Sequence, residues 1–170
     1  MQGPASSIAL RGRPFIATVA TPPLPTRRPM PPSPHPRVGV GVLILRHGHL
    51  LLGQRLGDHG PGTWAPPGGH LDFGETPEEC GAREVLEETG LVIEHTRRGP
   101  WVSNLFSEEG RHAITLFLRA DVPQGEPELR EPDKCADWRW VGLHALPQPL
   151  FAPLASLLHE HPDAAAALLR

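Results

Sequence analysis

Residues 69–91 read GHLDFGETPEECGAREVLEETGL. Thr76 can act as an N-cap, Pro77 suits the first helical position, and Glu79 completes a capping box. Gly90 is a ready C-terminal stop, so the spacing predicts a helix between Thr76 and Thr89. At about 100° per residue, Glu84, Glu87 and Glu88 fall on one face of it. Like charges at such spacing repel, and a helix tolerates them when something cationic binds there. Hard oxygen donors suit Mg²⁺, with Mn²⁺ as a substitute. For three glutamates alone, an ordinary solvated helix face is the competing reading. Ala82, Val85 and Leu86 are expected to anchor the helix to a core, and Cys80 and Gly81 to leave room for a ligand beside the acids.

Upstream, Val38 to Leu45 is an aliphatic run of strand character, and Leu50-Leu51-Leu52 starts a partner strand after a turn at residues 46–49. The Gly/Pro-rich stretch to Gly69 reads as a long loop, interrupted by a short extended piece at Trp64-Ala65-Pro66. Downstream, strands are expected at about Val92–Phe106 (broken by a bend), His112–Val122 and Trp138–Val141. Residues 123–137 form a polar loop. Leu150 to His159 has helical apolar spacing, and residues 163–169 a weaker terminal helix. Mixed strands with few helices predict an α/β (α+β) sandwich.

The helix acids stand in a longer pattern. Gly69, Glu75, Arg83-Glu84-Val85, Glu87-Glu88 and Gly90-Leu91 match every specified position of the Nudix box, and on these residues the chain resembles the Nudix hydrolase family. The similarity extends to Arg37–Val42, Leu51–Arg55, Pro67–Glu75, Glu131–Cys135, Trp138-Arg139-Trp140 and Leu146–Phe151, which look like a MutT-related branch. That branch hydrolyses nucleoside triphosphates, including oxidised purine nucleotides. The resemblance implies an α/β/α sandwich with a mixed central sheet and a catalytic loop–helix. It covers roughly residues 37–158 and leaves out the leader.

The resemblance also implies roles. Metal binding goes to Glu84 and Glu88 first, then Glu87, with the Gly69 carbonyl as a further ligand. Glu84 is the first choice for the base that deprotonates the attacking water, a role that competes with ligation. Glu131 is the best carboxylate outside the box, ahead of Asp133 and Glu128. Arg83 is expected to turn away from the ligands and to grip Glu75, fixing loop to helix. Arg55 is read as reaching a substrate phosphate or as a surface arginine. Trp140 leads for stacking on a base, with Trp138 as core or pocket wall. Asn104 could meet a base edge, and His70 and His112 could line the cleft.

The expected reaction is Mg²⁺-dependent hydrolysis of a nucleoside triphosphate to monophosphate and pyrophosphate, in a nucleotide-pool cleaning role. Other diphosphates, such as ADP-ribose or a dinucleotide polyphosphate, share the box and stay open. So does a non-catalytic nucleotide-sensing module. The partner is a nucleotide; a homodimer is also possible, as in many relatives. A net charge of −3 gives no footprint for a nucleic-acid polymer, and no stretch approaches membrane-spanning length. Two cysteines are too few for a disulfide framework, which points to a cytoplasmic, reducing compartment.

Of 22 prolines, ten lie between Pro4 and Pro36, in a segment with no Asp or Glu. Such a stretch buries too little to offset its ordering entropy. Residues 1–36 are therefore expected to be a disordered leader, 37–160 the Nudix domain and 161–170 a tail. An organelle transit peptide, a true start at Met30 and a proline-rich docking segment are the leader's other readings.

Overall fold

Strand β1 (Arg37–Arg46) explains the architecture, because both of its faces are buried. Successive side chains of a strand point to opposite faces. Val40, Val42 and Ile44 pack on one side with Cys80 and Val85. Leu43 and Leu45 pack on the other with Leu154 and Leu157. A continuous aliphatic run is what a central strand between two layers requires. His47 and Gly48, both at positive φ, then turn the chain so that Leu45 faces Leu50 and Arg46 faces His49. That is the backbone a two-residue hairpin favours.

This computed structural model describes residues 35–122 and 124–169, so the expectations for the leader lie outside the described residues save at His35 and Pro36. The further strands are β2 (His49–Arg55), β3 (Trp64–Ala65), β4 (Gly68–His70), β5 (Glu94–Phe106), β6 (Arg111–Asp121) and β7 (Cys135–Gly142). The sheet runs β3-β2-β1-β6-β5, with β4 on β1 and β7 on β2. β1 pairs parallel with β6 and antiparallel with β2 and β4, so the sheet is mixed. Helix α1 (Pro77–Thr89) covers one face. Helix α2 (Ala152–Glu160) covers the other, and α3 (Pro162–Leu168) adds Ala165 to that core. The expected sandwich is present. No helix among the described residues is long and apolar enough to cross a membrane.

Helix α1 begins and ends where the sequence places it. The Thr76 side chain accepts from the Glu79 N–H, the Glu79 carboxylate accepts from the Thr76 N–H, and Gly90 closes the helix in the left-handed region. Its buried face differs from the expected one. Cys80, Gly81, Val85 and Thr89 are buried, whereas Ala82 and Leu86 are exposed. The cause is the close approach of helix to sheet: a Cβ at position 81 would sit 2.9 Å from Leu118 and 3.0 Å from Val42. Small residues there let the helix dock and leave no ligand space.

β4 is the other departure. Its Gly68-Gly69-His70 carries no strand propensity and reads as loop. Gly68 nevertheless pairs with Gly41 and Gly69 with Val40. A Cβ on Gly68 would collide with the Val40 carbonyl oxygen, so only glycine permits this pairing. β5 shows register shifts between Glu94 and Arg97 and between Arg98 and Trp101, where a bend is expected. β7 begins at Cys135, three residues before the strand read at Trp138.

Candidate functional site

The tight β4–β1 pairing brings the backbone of Gly68 and Gly69 against α1. The Gly68 N–H donates to Glu88 Oε2 at 3.0 Å. The Glu84 carboxylate lies against Gly69 so closely that a Cβ there would collide with it. These residues open onto a cavity of about 540 Å³ whose walls also hold Arg55, Glu131, Lys134 and Trp138. Glu131 receives a 2.7 Å contact from Lys134 Nζ. Burial, followed by the charges of Glu84 and Glu131, pushes the Glu88 carboxyl up to about 8, although the Gly68 N–H and Arg55 pull it down. A site that crowds acids in this way favours a bound cation.

Arg83 fixes the loop to the helix. Its Nε and Nη2 donate to the two oxygens of Glu75 at 2.7 and 3.0 Å, a fork-to-fork contact. The guanidinium hydrogen bonds hold the Glu75 carboxyl down at about 2, and those carboxylates raise the pKa of Arg83 in turn. Arg83 is not turned away from the other acids, as the helical wheel suggests. Its Nη1 donates to Glu84 Oε1 at 2.8 Å, and its Nη2 reaches the His70 carbonyl at 3.2 Å. A long flexible side chain reaches beyond the direction its Cβ sets.

The carboxylates of Glu84, Glu88 and Glu131 on the cavity wall are hard oxygen donors of the kind that Mg²⁺ or Mn²⁺ accepts. Glu84, Glu88, Glu131 and the Gly69 carbonyl are the groups that could hold one. Among the described residues no three His, Cys, Asp or Glu side chains converge closely enough to hold an ion by themselves. Glu84 is turned onto Arg83 and Glu88 onto the Gly68 amide.

A family model described as the NUDIX domain matches residues 35–161, well over half of the chain. The chain belongs to the Nudix family.

Relatives of this Nudix chain carry several activities in their names. It is 32% identical over 106 residues to "Oxidized purine nucleoside triphosphate hydrolase" of Danio rerio, covering 62% of this chain and 66% of that one. It is 34% identical over 124 residues to "ADP-ribose pyrophosphatase" of Methanocaldococcus jannaschii, covering 69% of this chain and 68% of the other. The chain thus spans about two thirds of the length of these relatives. A crystal structure of a MutT NUDIX hydrolase from Burkholderia pseudomallei superposes with a TM-score of 0.70 at 34% identity, covering 75% of this chain and 98% of that one.

Several expected site residues lie apart from the Nudix cavity. Glu87 is exposed and, among the described residues, pairs with Arg83 alone, at 3.4 Å. Trp140 is not on the cavity wall. Its ring lies 4.1 Å from the Arg46 guanidinium and its Nε1 donates to Glu126 at 3.2 Å. Asn104 donates to Ser156 Oγ at 2.8 Å and ties β5 to α2, and His112 pairs with Ser103. His70 does line the cavity. Trp138 is the tryptophan on the wall. A Cβ on Gly53 would meet its ring at 2.7 Å, so that glycine makes room for it.

Sequence reasoning gives His59, Phe106 and Phe151 no role in the site. They form a wall in which His59 sits edge-on to both phenyl rings, at 4.4 and 5.1 Å. The Arg55 guanidinium lies 4.3 Å from the Phe151 ring, and its Nε donates to the His59 carbonyl at 3.0 Å. No period or motif joins these residues. They come from a loop, a strand end and the residue before α2.

Proposed function

We propose that the chain is a Mg²⁺-dependent hydrolase that converts nucleoside triphosphates to the monophosphate and pyrophosphate. The observation that carries this reading is one cavity holding Glu84 and Glu88 from the helix and Glu131 from a separate loop, with Arg55 on its wall. Bound Mg²⁺ would neutralise phosphate charge and lower the pKa of a coordinated water. Glu84 is the residue proposed to take the proton from the attacking water, and Glu88 with the Gly69 carbonyl to hold the metal. Glu131 is the second acid of the reaction. Arg55, its direction fixed by Phe151 and the His59 carbonyl, meets the phosphate chain. Trp138 and the Phe106–Phe151 wall offer the apolar faces on which a base can stack. The name of the fish relative supports the triphosphate choice. Two buried free cysteines suit a reducing, cytoplasmic compartment.

The relative named ADP-ribose pyrophosphatase favours a second reading, in which ADP-ribose is cleaved at the same site. A panel of nucleoside triphosphates, their oxidised purine forms, ADP-ribose and a triphosphorylated RNA separates them. We expect fastest turnover on a free triphosphate with Mg²⁺, and none after chelation with EDTA. Preferential release of AMP from ADP-ribose would establish the second reading instead.

A further inference from the structure

The segment that carries Glu131 is irregular, yet its backbone is tied to the last turn of α1. The Glu128 N–H donates to the Thr89 carbonyl at 2.8 Å, and the Arg130 N–H to the Glu88 carbonyl at 3.3 Å. The Arg130 side chain adds a third tie, Nη1 to the Leu86 carbonyl at 3.2 Å. The last carbonyls of a helix carry its negative end, and the Leu86 carbonyl, which already accepts the Gly90 N–H, takes the guanidinium as a second donor. Gly90 is part of the arrangement. Its φ of 74° closes the helix, and a Cβ on it would sit 2.7 Å from Arg130 Nη2. Arg130 Nε also holds Glu128 at 2.9 Å. On the far side of Glu131, the Lys134 and Cys135 N–H groups donate to its carbonyl, at 3.0 and 2.9 Å.

We propose that Arg130 is a positioning residue, which fixes Glu131 against the helix that bears Glu84 and Glu88. Its own side chain does not line the cavity. It locks the segment Glu128–Glu131 to the C-terminus of α1, so that helix acids and loop acid move as one body. Three acids on two elements then keep a fixed spacing, which a site for a cation and a phosphate chain requires. This inference rests on the hydrolase reading, in which Glu131 takes part in the reaction.

A double-mutant cycle on the full chain tests it, with the best triphosphate of the panel as substrate and kcat and KM measured separately. Glu131→Gln is expected to lower kcat by about 100-fold, within the range for a positioned acid or base. Arg130→Ala should lower kcat by about ten-fold, with KM within two-fold, and Arg130→Lys should recover part of the loss. Adding Arg130→Ala to Glu131→Gln should cost nothing further, because Arg130 acts through Glu131. The same cycle, read by EPR of Mn²⁺ bound to the nucleotide-free chain, should show the same non-additivity. Additive losses, or an Arg130→Ala defect confined to KM, would overturn the positioning role. Full kcat in Glu131→Gln would instead remove Glu131 from the hydrolase reading, a separate failure. Thermal melting of each variant identifies any that has unfolded; Arg130→Lys then carries the cycle.

Discussion

Glu84, Glu87 and Glu88 share a residue type, a helix and a nominal face, yet they have three different surroundings. Glu84 lies on Gly69, Glu88 accepts the Gly68 amide, and Glu87 stands in solvent with its side chain 54% exposed. Glu84→Gln should therefore cost on the order of 10²-fold or more in kcat, as loss of a positioned base does, whereas Glu87→Gln should cost a few-fold at most. Equal losses from the two would contradict the assignment. Glu88 adds a pH prediction. Burial raises its carboxyl from an ordinary value of about 4.5 to about 8, so the folded chain binds more protons than the unfolded one between those values. Stability then falls as pH rises through that window. Burial lowers the His70 pKa and gives the opposite slope below about 6.5, where the unfolded histidine titrates. Urea unfolding of the metal-free chain should thus show decreasing stability from pH 7 to 8.5, and Glu88→Gln should flatten it. A rising slope in that interval would refute the origin given for the shift. The acids are legible through their spacing, Glu75 through the box, and Arg55 through the resemblance of Leu51–Arg55 upstream of it. Trp138 and Trp140 were not separable, because both point to the same side of β7. Only the glycine opposite, Gly53, and the Arg46–Glu126 pair send one to the cavity and the other to a separate surface.

At the scale of elements, α1 is readable from local chemistry because caps act within a few residues. The Thr76–Glu79 box is made by hydrogen bonds of 3.2 and 2.8 Å. Thr76→Ala should lower the unfolding free energy by about 1 kcal/mol, measured in urea. No change would mean that packing on the sheet alone holds the first turn. What local chemistry does not reveal is which helix face meets the sheet. Leu86 looks like an anchor but stands outside, and Gly81 looks like a gap but sits against Leu118 and Val42. β4 is hidden for a related reason. Its strand character comes from β1 lying beside it, a contact that no propensity encodes.

At the scale of the molecule, the sheet separates two cores. Val40, Val42, Val85 and Leu118 hold α1 in place, and Leu43, Leu52, Phe117 and Leu157 hold α2 and α3. Leu157 is fully buried in the second core. Leu157→Ala should cost about 2–5 kcal/mol of stability, while kcat per folded molecule stays within two-fold. A large kcat loss in the folded variant would show that the two layers are coupled. The sandwich was legible from strand and helix alternation, but the cavity was not. It assembles from all seven strands, α1, the start of α2 and the loops between them; Glu84, Glu88, Gly69, Arg55 and Glu131 are legible in the sequence, with His70 and Trp138 as further candidates, whereas His59, Phe106 and Phe151 are not. In the proposed reaction the acids Glu84, Glu88 and Glu131 direct water to a polyphosphate chain, and pyrophosphate leaves. ³¹P NMR of a Mg²⁺–nucleoside triphosphate turned over by the full chain tests it most directly. The pyrophosphate and monophosphate signals should grow together, and both should be lost in Glu84→Gln. Single phosphate as the first product, or undiminished turnover by Glu84→Gln, would contradict it.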